Sequence, residues 1–340
     1  MRLSAIVATM DRPSYLDRTI RSLRMSRVQP HEVLVADDSR GAETRELVEG
    51  WQAEWPAVRY LVTEKRGTSA ARNLGAREAT GELLLITDDD CILHEDCIGH
   101  VVEAFRRDPE ATCVTGRVLP YGDVRGKVAV AVNGEMERRE WRGKTRPWGL
   151  GHSSNISFHR QAYFRIGGFD EEMGPGTELY AAEDLDLLYR VLKSGGKVVY
   201  EPEAVIYHDQ WRTRSQARSR RADYARGAAA FLLKHAILHR DRFALRMMAS
   251  RLWQDVPQLA LIGLAKRNLE LELVSIYQAK GLVAGLWVAG RFYAGKRFRG
   301  ASSVVEGPGQ KPACLSPTRD ARIHSSRSSV LAEGHGDEHA

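Results

Sequence analysis

The sequence predicts an α/β fold, a parallel sheet covered by helices on both faces, with a helical appendage at its C-terminal end. Three observations predict it. Short, near-continuous apolar runs alternate with helix-like stretches over roughly the first 120 residues, the pattern of parallel strands buried on both faces. Carboxylates gather where those runs end, at Asp37-Asp38 and at Asp88-Asp89-Asp90, and strand ends of this kind line the ligand crevice in such sheets. From Arg212 onward the strand-like runs stop and the pattern turns helical and basic.

Each element follows from its own residues. Leu3–Ala8 reads as a first buried strand, and Tyr15–Met25 as an amphipathic helix entered after Asp11-Arg12-Pro13-Ser14. Glu32–Ala36 is a second strand, Glu43–Trp55 a helix and Val58–Val62 a third strand. Ser69–Ala79 is a helix stopped by Gly81, followed by a strand over Glu82–Thr87, a helix over Cys97–Arg106 and a strand over Thr112–Arg117. Tyr121 to Gly151 shows no clear period, and a loop of this length in a compact domain is usually functional or mobile. Phe158–Ile166 and Glu183–Lys193 are expected as helices, Val198–Tyr200 and Ala204–His208 as strands. Beyond Gly300 the composition shifts to Ser, Gly, Pro, His and charge, as in disordered tails.

Hydrophobic residues make up 43% of the 340 and charged residues 28%, values of an ordinary globular chain, so wholesale disorder is excluded. A net charge of +6 and a pI near 9.2 favour anionic partners without choosing among nucleotide diphosphates, anionic lipids and nucleic acid. Cys91, Cys97, Cys113 and Cys314 lack the paired spacing of a CxxC metal site. Reduced thiols in a cytosolic protein are the expectation. The longest late apolar run, Gly281–Gly290, falls short of the ~20 residues of a spanning helix, so no transmembrane segment is expected.

The carboxylate clusters carry the chemistry. Asp37-Asp38 reads either as turn and cap chemistry or as a ligand contact. Asp88-Asp89-Asp90 is harder to assign to a turn, because three adjacent carboxylates repel one another unless a cation relieves them. Their hard oxygens suit Mg²⁺ or Mn²⁺, which also grips diphosphate oxygens. Between the clusters, Gly67 leads into a helix N-terminus beside Lys65 and Arg66, a place for phosphate. That run is neither GxGxxG nor a P-loop, which counts against dinucleotide and ATP binding. Glu183-Asp184 opens a later helix, as a capping pair or as a reacting one. Gly167-Gly168-Phe169-Asp170 ends a helix as a glycine cap with a buried aromatic. His208 closes the last strand, as a metal ligand or as a satisfied core histidine.

Taken in order, IVATMDRPSYL, VLVADDS, RGTSAARNLGA, LLLITDDDC, SSNISFHRQAYFRIGGFDE and AAEDLDLLYRVLKSG, then a strand reaching Tyr207-His208, resemble family 2 glycosyltransferases over roughly residues 3–210. Several motifs in the right order are far more specific than any one of them. The resemblance implies a GT-A fold, a Rossmann-like mixed, mostly parallel sheet, as a catalytic domain over residues 1–210; composition and pattern add a basic helical region over 211–299 and a disordered tail over 300–340. It implies inverting transfer of a sugar from a nucleotide-sugar donor to a hydroxyl of a glycan or lipid-linked acceptor, in cell-surface polysaccharide or glycolipid synthesis. It implies Mn²⁺ or Mg²⁺ as cofactor. By resemblance, Asp37 and Asp38 hold the base and ribose, Asp88 and Asp90 form the DxD motif with Asp90 on the metal, and Arg72 lies near the donor. Asp184 becomes the catalytic base, Glu183, Gly168, Phe169 and Asp170 border the acceptor, and His208 is the remaining metal ligand.

The chemistry fits those roles independently. An acceptor hydroxyl is a poor nucleophile, so a carboxylate must take its proton as the new bond forms. The departing diphosphate gains charge in the same step, which a divalent cation stabilises. The QxxRW signature of processive members is absent, which argues for single-sugar addition, and Met10 stands where Tyr-Asn is common in the family. Arg212, Arg214, Arg218, Arg220, Arg221 and Arg226 read either as a solvated helix face or as attraction to anionic lipid headgroups. Trp253, Trp287, Phe292 and Tyr293 accompany them. The chain is expected in the cytoplasm, peripheral on the inner face of the membrane under the lipid reading. No nucleic-acid module accompanies the charge, so no such partner is expected. The alternatives are a nucleotidyltransferase, whose Gly-rich loop is missing after Thr9, and a non-catalytic nucleotide-sugar-binding protein, against which the DDD and ED residues stand intact.

Overall fold

Leu3–Thr9 forms β1, buried at every position because a helix layer covers each face of the sheet. The computed structural model describes residues 1–122, 127–209 and 211–302. In chain order it continues with α1 (Pro13–Arg24), β2 (Glu32–Asp37), α2 (Glu43–Glu54), β3 (Val58–Val62), α3 (Thr68–Glu78), β4 (Leu83–Asp88), β5 (Cys91–Leu93) and α4 (Cys97–Arg107). Then come β6 (Ala111–Pro120), β7 (Val128–Ala129), β8 (Arg139–Trp141), β9 (Ile156–His159), α5 (Arg160–Ile166), α6 (Glu183–Lys193), β10 (Lys197–His208) and β11 (Trp211–Arg212). The C-terminal helices are α7 (Arg214–Leu238), α8 (Arg242–Ser250), α9 (Val256–Ala265) and α10 (Leu269–Ser302).

The main sheet runs β3-β2-β1-β4-β9-β6-β10-β5, with β8 also on β10. β3, β2, β1 and β4 are parallel, and β6 is parallel to β10. β9 lies antiparallel between β4 and β6 and joins the two parallel blocks. Register places the carboxylates: Thr9 pairs with Asp37 and Ala8 with Asp88, so both acidic clusters reach the same rim.

Alternation along β1 splits the core. Ala5 and Val7 pack with Leu16 and Ile20 of α1 and Phe105 of α4, whereas Ile6 packs with Ala76 of α3 and Leu187 and Val191 of α6. Each fully buried aliphatic side chain contributes ~1.5–3 kcal/mol relative to exposure. A third cluster joins Met173, Leu179 and Tyr189 to Ala230 and Phe231 of α7, Met247 of α8 and Tyr293 of α10. The C-terminal helices thus share a core with the loop that leads into α6.

Three expectations need correction. Phe158 and His159 belong to β9, and the helix expected from Phe158 starts at Arg160. Ile156-Ser157-Phe158 is a strand because both its faces are buried between β4 and β6. Second, β10 is one continuous strand whose register on β6 shifts between Glu201 and Val205. Pro202 lies in that interval, where the missing N–H favours a bulge. Third, the run Gly281–Gly290 belongs to a longer helix, of which Leu269–Tyr293 is long and apolar enough to cross a membrane by length and composition. Gly281 and Gly285 of that helix press against the α7 backbone at Ala222 and Arg226, too close for a side chain. Cys91, Cys97 and Cys113 are buried and unbridged. Cys314 and the tail expectation beyond Ser302 lie outside the described residues.

Candidate active site

β2 delivers Asp37 and Asp38 to the rim in different states. Asp37 is buried and accepts from the Tyr60 hydroxyl at 2.8 Å and from the Ser39 N–H at 2.9 Å. Asp38 is half-buried and accepts from the Gly67 N–H at 3.0 Å, where Gly67 holds φ +109° ahead of α3. That contact ties the loop after β2 to the start of α3.

The three consecutive aspartates diverge. Asp88 is half-buried at the end of β4. Asp89 turns inward, accepting from Thr9 Oγ1 at 2.7 Å and pairing with the Arg12 guanidinium. Burial, against the pull of Arg12, pushes its carboxyl up to about 7. Asp90 is buried as well; its Oδ1 lies 3.1 Å from His208 Nε2 and its Oδ2 accepts from Arg12 Nη1 at 2.8 Å. Burial alone would raise Asp90, but His208 and Arg12 prevail and hold it down to about 2. The same pair raises His208, where Asp90 outweighs desolvation. One ligand atom each of Asp88, Asp90, Cys91 and His208 lie within 4.8 Å of one another. Two carboxylates and an imidazole so placed fit a divalent cation. Burial, helped by Asp88 and Asp90, pushes the Cys91 thiol well up, so Cys91 is no free nucleophile.

Arg72 of α3 links this cluster to α6. Its Nη2 donates to Asp88 Oδ1 at 2.6 Å and its Nη1 to Glu183 Oε1 at 3.0 Å, with the guanidinium 5.1 Å from the centre of the Phe169 ring. Glu183 is 6% exposed, and burial beside Asp184 pushes its carboxyl up to about 7 despite Arg72. Asp184 is the more exposed of the pair and accepts from the Leu185 N–H at 2.8 Å; burial raises its carboxyl too. Tyr180 (φ +69°) and Ala182 (φ +72°) occupy the left-handed region just before them, a strained backbone that packed surroundings must hold. α7 supplies that packing: a side chain at Gly227 would lie 2.6 Å from the Ala181 carbonyl carbon.

The Gly168-Phe169-Asp170 turn sits behind Arg72. Gly168 holds φ +65° against Asn73 Oδ1, and the Phe169 N–H donates to that same oxygen at 3.0 Å. Asp170 pairs with Lys234 of α7 at 2.7 Å. These residues, with Asn73, Arg77 and Arg190, line an open cavity of about 520 Å³.

The structure therefore brings Arg72, Asp88, Asp90, Glu183 and His208 into one connected group, with Asp184 next along α6. Asp37 and Asp38 lie beside it on the rim, and Gly168, Phe169 and Asp170 buttress it from behind. Arg12 and Cys91 were not singled out from the sequence. The signal for Arg12 was a cation four residues past a buried strand that parallels the DDD strand; nothing local said that the turn would fold back.

Residues 4–166 match the model of Glycosyl transferase family 2. The chain is 26% identical over 230 residues to a glucosyl-dolichyl phosphate glucuronosyltransferase of Haloferax volcanii, covering 64% of this chain and 72% of that one. It is 21% identical over 246 residues to a poly-beta-1,6-N-acetyl-D-glucosamine synthase of Staphylococcus aureus, covering 71% of this chain and 57% of the synthase. Among solved structures, a mannosyltransferase from Pyrobaculum calidifontis in complex with GDP-Man and Mn²⁺ superposes with a TM-score of 0.58 at 20% identity, over 84% of this chain and 87% of that one. Residues 1–349 of S. aureus TarS superpose with a TM-score of 0.53 at 16% identity, over 87% and 92%. At these identities the likeness is one of fold.

Proposed function

Starting from the fact that residues 4–166 belong to glycosyltransferase family 2 and that the chain is a glycosyltransferase of GT-A fold, we propose that it adds a single sugar, with inversion, from a nucleotide-diphosphate sugar to an acceptor hydroxyl. The observation that carries this reading is the separation of two carboxylate sets joined through Arg72: Asp88 and Asp90 at the strand rim, Glu183 and Asp184 at the start of α6. Asp184 takes the acceptor proton as the acceptor oxygen bonds to the anomeric carbon and the bond to the diphosphate breaks. Burial raises its carboxyl, which makes it a stronger base than an exposed aspartate. Glu183, tied to Arg72, orients the base-bearing helix. Asp90 and His208, with Asp88, would hold Mn²⁺ or Mg²⁺, which when bound stabilises charge on the leaving diphosphate. Asp37 and Asp38 hold the base and ribose, and Gly168, Phe169 and Asp170 shape the acceptor side through Arg72 and α7.

The acceptor is proposed to be lipid-linked, as the name of the H. volcanii relative says of its own substrate. Trp253, Leu261, Leu264, Val283 and Trp287 are exposed near Lys266, Arg267 and Lys280, a composition that suits the surface of an anionic bilayer. The helical region after residue 210 is proposed as a peripheral attachment on the cytoplasmic face. The test is purified full-length chain incubated with a panel of nucleotide sugars, with Mn²⁺ or with chelator, the anomeric configuration of any product being read by NMR. Inverted product that disappears with chelator is expected. Retention of configuration, or turnover indifferent to chelator, overturns the mechanism.

A further inference from the structure

Cys91 directly follows the last aspartate of the DDD run, and the proposed transfer makes no use of it. β5 pairs antiparallel with β10 so that Cys91 stands opposite His208 in register. One ladder therefore places the thiol and the imidazole together, and Asp90 Oδ1 already faces His208 Nε2 at 3.1 Å. Arg12 holds the other Asp90 oxygen, leaving Oδ1 turned towards the imidazole. The four ligand atoms of Asp88, Asp90, Cys91 and His208 lie within 4.8 Å of one another, and Asp90, Cys91 and His208 are all buried. Metal–ligand bonds of ~2.0–2.3 Å in a tetrahedron need a small inward closure from that spacing.

Two carboxylates and an imidazole would serve Mg²⁺, Mn²⁺ or Zn²⁺ alike, but a sulfur donor favours the softer ion. We propose that this cluster binds a thiophilic divalent cation, Zn²⁺ or Cd²⁺, through Asp88, Asp90, Cys91 and His208, and does so more tightly than it binds Mg²⁺ or Mn²⁺. On binding, the Cys91 S–H bond breaks, a sulfur–metal bond forms and the proton passes to solvent. Four protein ligands complete a tetrahedral ion and leave no position for a donor diphosphate, so zinc competes with the donor. The inference rests on the reading of Asp90 and His208 as the donor-metal site.

The test uses full-length chain carrying C314S, so that Cys91, Cys97 and Cys113 are the remaining thiols; the last two lie outside the cluster. X-ray absorption of the zinc-loaded protein is expected to show one sulfur neighbour at ~2.3 Å. Cadmium titration should give a thiolate charge-transfer band saturating at one ion per chain and absent from C91S/C314S. Displacement of Mn²⁺, followed by electron paramagnetic resonance, should show zinc preferred by about tenfold or more, and the preference should shrink about tenfold in C91S/C314S. A zinc site without sulfur, or a cadmium band that persists in C91S/C314S, overturns the proposal. Mn²⁺ bound together with sulfur-free zinc overturns this inference alone. Zinc bound through sulfur with no Mn²⁺ bound overturns the donor-metal reading and keeps the zinc site.

Discussion

Arg72 Nη1 donates to Glu183 Oε1 at 3.0 Å across 111 positions of sequence. Both side chains are almost wholly buried, and the other arm of the guanidinium is bound to Asp88. The planar fork of an arginine is what allows one side chain to hold two carboxylates in fixed positions. Through it, the rim that would carry the cation and the helix that carries Asp184 are held at a set distance.

Removing that link is expected to cost stability before it costs chemistry. R72A strips the countercharge from buried Glu183, whose carboxyl already sits high, so it takes up a proton in the variant and the loss stays below the ~3–5 kcal/mol of an uncompensated buried charge. R72K keeps the charge but not the fork and should fall between the two. Chemical denaturation of the three proteins at pH 7.5 checks the order.

D184N is expected to lower turnover by ~10²–10⁴ while leaving donor affinity nearly unchanged, because the side chain keeps its size but cannot accept a proton. Measuring turnover and donor affinity together decides it. Near-normal turnover moves the base elsewhere, and lost donor affinity points to a role on the metal side.

Glu183 gives the fold a pH dependence of definite sign. In the folded chain burial beside Asp184 holds its carboxyl well above the ordinary value of 4.5, to which it returns on unfolding. Between the unfolded and folded values the folded state binds more protons than the unfolded state, so this group's contribution to stability falls as pH rises through the window. E183Q should flatten that part of the profile. Thermal unfolding of wild type and E183Q at pH 4.5, 6 and 7.5 measures it, and equal slopes would mean that Glu183 is ionised throughout.

Much of this arrangement was legible in the residues and some was not. The strands of the first half announced themselves because burial on both faces makes them continuously apolar, as in the LLLIT run of β4. The ED pair was placed correctly at a helix start because acidic residues precede an amphipathic pattern there. Phe158 and His159 of β9 read as the start of a helix because they adjoin a true one and a four-residue strand is too short for its alternation to show. Arg12 and Cys91 escaped because their partners lie 77–78 residues away for Arg12 and across the β5–β10 ladder for Cys91. Local pattern carries no information about such register. The partners of Arg72 were hidden for the same reason.

Loss of a cation ligand should separate binding from folding. D90A and H208A are expected to lose Mn²⁺-dependent thermal stabilisation by a nucleotide-sugar donor, since a ligand that binds the native state alone raises its melting temperature. Secondary structure by circular dichroism should remain. Undiminished stabilisation in D90A would remove Asp90 from the site.

Attachment to lipid is tested by co-sedimentation. Full-length protein should pellet with anionic vesicles at low salt and be released as salt rises, because screening shortens the reach of exposed charges. Substituting both Trp253 and Trp287 by Ser should weaken pelleting at every salt concentration. Equal partitioning onto neutral vesicles would sink the electrostatic part of the idea.

The insertion of β9 between β4 and β6 has a consequence for synthesis on the ribosome. β4 is made early, yet its second edge waits for Ile156–His159, and β5 waits for the end of β10. Pairings of such long sequence separation form slowly, and meanwhile an apolar strand edge stays open to other chains. A nascent chain that has emerged only as far as α4 thus displays Leu83–Asp88 with one side unpartnered, the kind of open edge that invites aggregation until β9 arrives.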